Sequence, residues 1–431
     1  MYNYEDPFGS VGKFDYVLAN PPFNVDDVNI SQVEKDVRFN TYGIPRNKSK
    51  LTKKEQGNET VPNANYLWIN LFATSLKPKG RAALAMANST PDARHSEADI
   101  RQTLIKKNLI YGMLTLPKNM FYTVTVPATL WFFDKGKTDD KILFIDARNI
   151  FTQVDRAHRE FSTEQIYNIS IISQLQRGKQ QRFITLIDRY FEQGMTKLRD
   201  NNAQIKQVSQ QLIAVLDDGT DDGSGKEAAV DFLDLWEGMP DLETQYQAYL
   251  EKHANLIDVP AQNQAQHQLS EVFVPFFTII HAGMKKVDKT VRTHEAALAE
   301  KAKQEGTSKR LQIDRQIKAL KTTLENLHGE VKSAESYFAH IRWLQERFPQ
   351  AKYEDVTGLC KLATLEEVKE QDYSLNPGRY VGVVIEEDGK TEEEFIEEIL
   401  EMNKELEQLN QDAHGLEGII IHNVRAITGD L

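Results

Sequence analysis

Cysteine is almost missing from this chain of 431 residues, where Cys360 stands alone. One thiol excludes an internal disulfide framework and a thiolate zinc cluster, and a lone cysteine reads as an ordinary small apolar residue. Long apolar runs are missing too: no stretch is long enough to span a bilayer, and the N-terminus lacks a signal-peptide pattern. These absences predict a soluble, cytoplasmic protein. Positive charge is in deficit, with 52 Lys and Arg against 64 Asp and Glu for a net charge of −12. That balance argues against a protein that binds nucleic acid acting alone. The acidic, glycine-rich run Asp217-Asp218-Gly219-Thr220-Asp221-Asp222-Gly223-Ser224-Gly225 misses the EF-hand spacing and lacks the closing Glu. It reads as a flexible linker, and no metal is expected.

What remains is unevenly distributed. Lys35, Arg38, Arg46, Lys48, Lys50, Lys53 and Lys54 cluster early, and Arg94, Arg101, Lys106 and Lys107 add to them, whereas the acidic excess falls later, at 386–401 and 217–222. A basic rim on an acidic body fits a subunit that leaves most nucleic-acid affinity to a partner, and a solvated surface loop explains the same residues. The first part of the chain alternates strand and helix patterns. Strands are predicted over 16–19, 82–87, 110–116, 129–134 and 142–146, and helices over 65–75 and 97–107. That alternation matches half of a doubly wound α/β sheet. From 161 onward the pattern is helical.

Two late stretches carry heptads. Ile313, Ile317, Leu320, Leu324, Leu327, Val331, Ala334, Phe338 and Ile341 alternate steps of four and three, as do Phe395, Ile399, Met402, Leu406, Leu409, Ala413, Leu416 and Ile420. A 3.5-residue period is the seam of a coiled coil or of a long helical hairpin. The two helices either pack on each other or dock on a partner, and the last one, 395–421, is the stronger docking candidate.

The residues with a specific chemical meaning are Asn20-Pro21-Pro22-Phe23, directly behind the apolar run 14–19. Each proline sets φ and removes an N–H, and Pro22 also keeps Pro21 out of the helical region. The product is a stiff turn at a strand's carboxyl end, where open α/β sheets bind ligands. An adenine amino nitrogen is a poor nucleophile because its lone pair is delocalised into the ring. Two acceptors, the Asn20 side-chain oxygen and the Pro21 carbonyl, can hold both amino hydrogens and draw that nitrogen toward tetrahedral geometry. The freed lone pair can then attack an electrophilic methyl group, with the gain coming from positioning and fixed dipoles. Phe23 can stack on the base after it has left the duplex. A proline-rich turn that merely ends a strand is the plainer reading.

Further segments narrow the family. Asn63-Ala64-Asn65-Tyr66-Leu67-Trp68-Ile69-Asn70-Leu71-Phe72 leads into Leu76-Lys77-Pro78-Lys79-Gly80-Arg81-Ala82, and beyond lie Leu116-Pro117-Lys118-Asn119-Met120-Phe121-Tyr122 and Pro127-Ala128-Thr129-Leu130-Trp131-Phe132-Phe133. With Asn20–Phe23 and, near the end, Asp372-Tyr373-Ser374-Leu375-Asn376-Pro377-Gly378-Arg379-Tyr380-Val381, these resemble the modification subunit of type I restriction-modification systems, an N6-adenine DNA methyltransferase. The resemblance is close over 1–165 and looser over 365–431.

The resemblance implies S-adenosylmethionine as methyl donor, with Asn20 touching it. It implies catalytic roles for Asn20, Pro21, Pro22 and Phe23, and Phe121 as a second aromatic wall; a core phenylalanine is the plainer reading of Phe121. Lys48, Lys50, Lys53 and Lys54 become candidate contacts to the DNA backbone. Expected partners are double-stranded DNA, a specificity subunit held by the C-terminal helices, and a restriction subunit in the full complex, with no membrane. In the family, the glycine-rich cofactor loop lies upstream of the Asn-Pro-Pro-Phe turn, and no equivalent occurs here.

The chain therefore reads as the carboxyl portion of such a subunit, with its open sheet edge expected to be covered by a rearranged N-terminus, a second modification subunit or a separate N-terminal fragment. The expected organisation is a partial methyltransferase domain over 1–160, a helical region over 161–280 with its linker near 217–225, and a coiled-coil interaction region over 281–431. An inactive interaction scaffold for the specificity subunit is the alternative function. Methylation of RNA bases or of protein glutamine is a third reading, since similar turns serve both.

Overall fold

A computed structural model describes residues 6, 9–47, 59–121, 127–216, 224–252, 257–305, 310–383 and 392–428. The chain divides into two compact units, Met1–Gly382 and Val383–Leu431.

The first unit opens with β1 (Phe14–Ala19), two single-turn helices α1 (Ile30–Val33) and α2 (Val37–Asn40), then α3 (Asn65–Ser75), β2 (Leu76–Ala87), α4 (Ser96–Lys106), β3 (Ile110–Thr115), β4 (Ala128–Asp134) and β5 (Ile142–Asp146). A short ribbon follows, β6 (Thr152–Gln153) with β7 (Arg159–Glu160), and then helices α5 (Thr163–Gln176), α6 (Gln180–Leu216), α7 (Ser224–Asp234), α8 (Met239–Lys252), α9 (Val259–Glu271), α10 (Phe273–Glu305) and α11 (Arg310–Arg347). Strand β8 (Cys360–Ala363) and helix α12 (Leu365–Glu370) return to the sheet, and α13 (Glu392–Thr428) lies in the second unit.

The six-stranded sheet runs β1-β2-β4-β3-β5-β8. β1 and β2 pair in parallel, as do β3 and β5, while β4 is antiparallel to both its neighbours and β8 to β5. Four strands thus share one direction, as the doubly wound pattern implies. The strand predicted at 82–87 begins earlier, at Leu76, because Phe14 pairs with Leu76 across an irregularity in β1 that accommodates the Lys77–Gly80 segment.

One face of the sheet carries α3 and α4. Alternation in β2 sends Ala82, Leu84 and Met86 inward to meet Tyr66, Ile69, Ile100, Leu104, Trp131 and Phe133. On the opposite face, α5 covers β3 and β5 through Ile169, Ile172, Leu114, Leu143 and Ile145. A capping box starts α5: Ser162 accepts from the Gln165 N–H, and the Gln165 side chain accepts from the Ser162 N–H. Over β1 that same face is bare, with Phe14, Tyr16 and Leu18 exposed by 46%, 75% and 84%.

The first heptad is an internal seam. Ile317, Leu320, Leu324, Leu327, Val331, Ala334, Phe338 and Ile341 are all buried, in one cluster with Phe191, Met195, Leu198, Ile205, Val208 and Leu212 of α6. Gly194 lets the two long helices approach, since a Cβ there would lie 2.5 Å from Cε2 of Phe338. Residues 217–223 lie outside the described residues, and the expected linker's last two residues, Ser224 and Gly225, already begin α7. Cys360 is buried in β8, and burial pushes its thiol up to about 11, so it sits inert in the core. In the second unit, α13 leaves Met402, Leu406, Leu409, Leu416 and Ile420 each more than half exposed.

Candidate active site

The carboxyl ends of the parallel strands converge on one edge of the sheet. There β1 delivers 20–24, β2 delivers 88–92, and β3 delivers the segment through Phe121 that returns as β4. Asn20 is exposed, Pro21 buried, Pro22 exposed and Phe23 half-buried. Among the described residues the Asn20 side chain has no hydrogen-bond partner, so its amide oxygen is available to a ligand. Phe23 and Phe121, distant in sequence, meet edge to face with ring centroids 6.2 Å apart at 82°. Both rest on the main core cluster beside Met120.

The turn leaves Phe23 through Asn24 at φ +52°. The Asn24 N–H donates to Asn65 Oδ1 at 3.0 Å, and Asn65 Nδ2 donates back to Asn24 Oδ1 at 2.8 Å. Asn65 is 3% exposed at the start of α3, and its own N–H donates to Asn63 Oδ1 at 3.0 Å. Burial raises the Glu97 carboxyl, against the hydrogen bond it shares with Asn63. One strand over, Thr129 Oγ1 donates to Asn88 Oδ1 at 3.1 Å.

The C-terminal motif returns to this same edge. Asn376 Nδ2 donates to Asp92 Oδ2 at 2.9 Å, Ser374 donates to Asp92 Oδ1, and Arg379 lies 3.3 Å from it. Burial opposes the Asp92 charge, but these hydrogen bonds and the Arg379 guanidinium hold its carboxyl below the usual range. Tyr380 stacks on Phe144 with centroids 3.8 Å apart.

Three cations of the expected basic rim are engaged within the chain, while Lys35, Arg94, Lys106 and Lys107 are exposed. Arg101 is 4% exposed and spends its guanidinium on the carbonyls of Ala93 and Tyr373, because burial demands partners for every donor. Arg38 pairs with Asp36 at 2.6 Å, and Arg46 with Glu34 and Glu59. Lys48, Lys50, Lys53 and Lys54 lie outside the described residues. Sequence reasoning missed the Asn24–Asn65 pair and the Asp92 hub; the positive φ at Asn24 had only a faint signal, an Asn after a tight turn.

A methyl donor of the S-adenosylmethionine type fits this crevice on one side only. Asn20 and the Pro21 carbonyl offer acceptors toward an amino group, whereas among the described residues no glycine-rich strand-to-helix turn borders it to cradle a nucleoside.

The model of the N-6 DNA Methylase family matches residues 3–189 and 299–389. The chain is 37% identical over 164 residues to the methylase subunit of the type I restriction enzyme MjaIX of Methanocaldococcus jannaschii, covering 36% of this chain and 27% of that one. It is 31% identical over 160 residues to the HindI methylase subunit of Haemophilus influenzae, covering 37% of this chain and 33% of that one. The chain thus spans about a third or less of these relatives. A solved type I restriction-modification methyltransferase subunit from Streptococcus thermophilus matches at 24% identity with a TM-score of 0.32, over 39% of this chain and 32% of that chain.

Proposed function

The chain belongs to the N-6 DNA Methylase family, and from that premise we propose that it is the base-holding part of a type I modification subunit, methylating adenine N6 in double-stranded DNA. The observation that carries the proposal is the unpartnered, exposed Asn20 amide at the carboxyl end of a parallel strand, with Phe23 beside it. Asn20 Oδ1 and the Pro21 carbonyl accept the two amino hydrogens of a flipped adenine. Holding both draws the nitrogen out of conjugation, and the two fixed dipoles stabilise the positive charge that develops there.

Phe23 stacks on the base and offsets part of the few kcal/mol that unstacking costs. Phe121 walls the base on its other side once its ring turns from its perpendicular packing on Phe23. Pro22 keeps the turn rigid, so the acceptors need no reorganisation as charge develops. S-adenosylmethionine, when bound, supplies the electrophilic methyl group. The residues that cradle its nucleoside come from outside the described residues, and the exposed Phe14, Tyr16 and Leu18 face of β1, an edge strand among the described residues, supports the docking of a further segment or of a second modification subunit.

The net charge of −12 leaves most DNA affinity to partners, with Lys48, Lys50, Lys53 and Lys54 as local backbone contacts. The exposed apolar stripe of α13 serves a specificity subunit, and the restriction subunit joins the full complex. That stripe also favours the second reading, a scaffold without activity of its own.

The test is chain-dependent methylation. Duplex DNA is incubated with S-adenosylmethionine and the assembled complex, with or without this chain, and its nucleosides are resolved by mass spectrometry. N6-methyladenine that appears only with this chain is expected. Equal N6-methyladenine without it, or a different methylated base, overturns the proposal.

A further inference from the structure

Asn24 directly follows the four-residue turn and holds φ +52°, a left-handed conformation that costs any residue with a Cβ. The peptide joining Phe23 to Asn24 carries the N–H that Asn65 Oδ1 receives at 3.0 Å, so that one bond orients the plane through which Phe23 leaves the turn. The return bond, Asn65 Nδ2 to Asn24 Oδ1 at 2.8 Å, closes a two-point amide pair across 41 residues of sequence. The base of the pair is rigid. Asn65 is 3% exposed, its N–H is tied to Asn63 at 3.0 Å, and the Ala64 N–H donates to Val25 O at 2.8 Å. The next two residues of α3, Tyr66 and Leu67, are fully buried. A buried amide needs partners, and both side-chain bonds of Asn65 go to Asn24.

We infer that Asn65 is a positioning residue for methyl transfer, holding Asn24 left-handed and thereby setting where Asn20 and Phe23 present themselves to the base. The inference rests on the reading of Asn20–Phe23 as the base-holding turn. Asn65 touches no reacting atom. It ties the turn to α3, so that the two acceptors stay in register with the amino group and the aromatic ring. A misplacement of about 1 Å in such a constellation costs up to roughly 100-fold in rate.

The experiment compares variants in the assembled methylase complex, measuring kcat, KM for DNA and thermal unfolding. Asn65→Ala is expected to lower kcat by roughly 10- to 100-fold, with KM for DNA unchanged. Asn65→Ala combined with Asn24→Gly is expected to recover most of that loss, because glycine adopts the left-handed conformation without a clamp. A purely structural role would instead show a fall in unfolding temperature that tracks the lost activity, with no rescue by Asn24→Gly. Either that pattern or wild-type kcat in Asn65→Ala overturns the inference. If Asn65→Ala does not fold, Asn24→Ala removes the return bond to Asn24 Oδ1 and the asparagine's own tolerance of the left-handed conformation, while the backbone N–H still donates to Asn65 Oδ1. A smaller loss of kcat with KM for DNA unchanged is expected, and wild-type kcat there overturns the inference. Asn20→Ala runs alongside: full activity in that variant would refute the reading of the turn itself, whereas an inactive Asn20→Ala beside an unaffected Asn65→Ala refutes only the clamp.

Discussion

Glycine to alanine within a helix ordinarily stabilises by up to about 1 kcal/mol, because alanine gives up less backbone entropy. Two glycines in the long helices should respond with opposite signs. At Gly329, exposed in α11, an added Cβ meets nothing within 4 Å, so Gly329→Ala is expected to stabilise by up to about 1 kcal/mol. At Gly194, in α6, the Cβ would lie 2.5 Å from Cε2 and 2.7 Å from Cζ of Phe338. The Phe338 ring is hemmed in by Phe273, stacked at 4.0 Å, and by Phe191 and Phe277. Turning that ring disturbs its packing on all three, and such overpacking costs about 1–3 kcal/mol. Set against the helix gain, Gly194→Ala is expected to destabilise by about 1 kcal/mol. The assay is urea unfolding of the 431-residue chain followed by far-ultraviolet circular dichroism, comparing midpoints. A midpoint for Gly194→Ala at or above that of the parent chain would refute the close α6–α11 approach, and with it the reading of the first heptad as an internal seam.

Asp188 gives a pH prediction. Burial raises its carboxyl, although Tyr249 and Gln266 donate to Oδ1 at 2.5 and 2.7 Å and partly counter the shift. Because the folded state holds this proton more tightly than the unfolded state, the contribution to stability is present at low pH. It is lost as pH rises from the ordinary carboxylate range through the raised value. Asp188→Asn is expected to remove that slope, gaining on the parent chain as pH rises; parallel stability–pH curves would refute it. The second heptad is tested by Leu406→Glu with Leu409→Glu, residues 56% and 58% exposed. The chain's own unfolding midpoint is expected to stay unchanged while co-purification with the specificity subunit is lost, and retained co-purification would refute docking through this stripe.

Local signals carried much of the fold. The helix over Asn65–Ser75 and the strand over Ile142–Asp146 have the bounds their periodicity indicates, since each is set by its own apolar pattern. Strand β8 escaped because four residues show no period, and its extended form depends on pairing with β5 across more than two hundred residues. The strand predicted from Ala82 starts at Leu76, because Phe14 pairs with Leu76 on the far side of the irregularity that Lys77–Gly80 fill. The first heptad was legible as a seam, but its partner was not, because α6 carries its own apolar stripe with no mark of which helix it meets. At the site, Asn20–Phe23 was legible because two prolines and an aromatic are rare neighbours behind a strand. The Asn24–Asn65 pair and the attachment of Ser374 and Asn376 to Asp92 were not, since polar side chains carry no sequence mark of a distant partner.

The most direct test of the account is adenine methylation by the assembled complex carrying Asn20→Ala. The expected result is a loss of methyl transfer by at least roughly 10²–10³-fold, the scale of removing one fixed dipole from a reacting centre, with subunit assembly and DNA binding intact. Wild-type methylation of adenine N6 by that variant would contradict the central claim that the exposed Asn20 amide holds the reacting amino group.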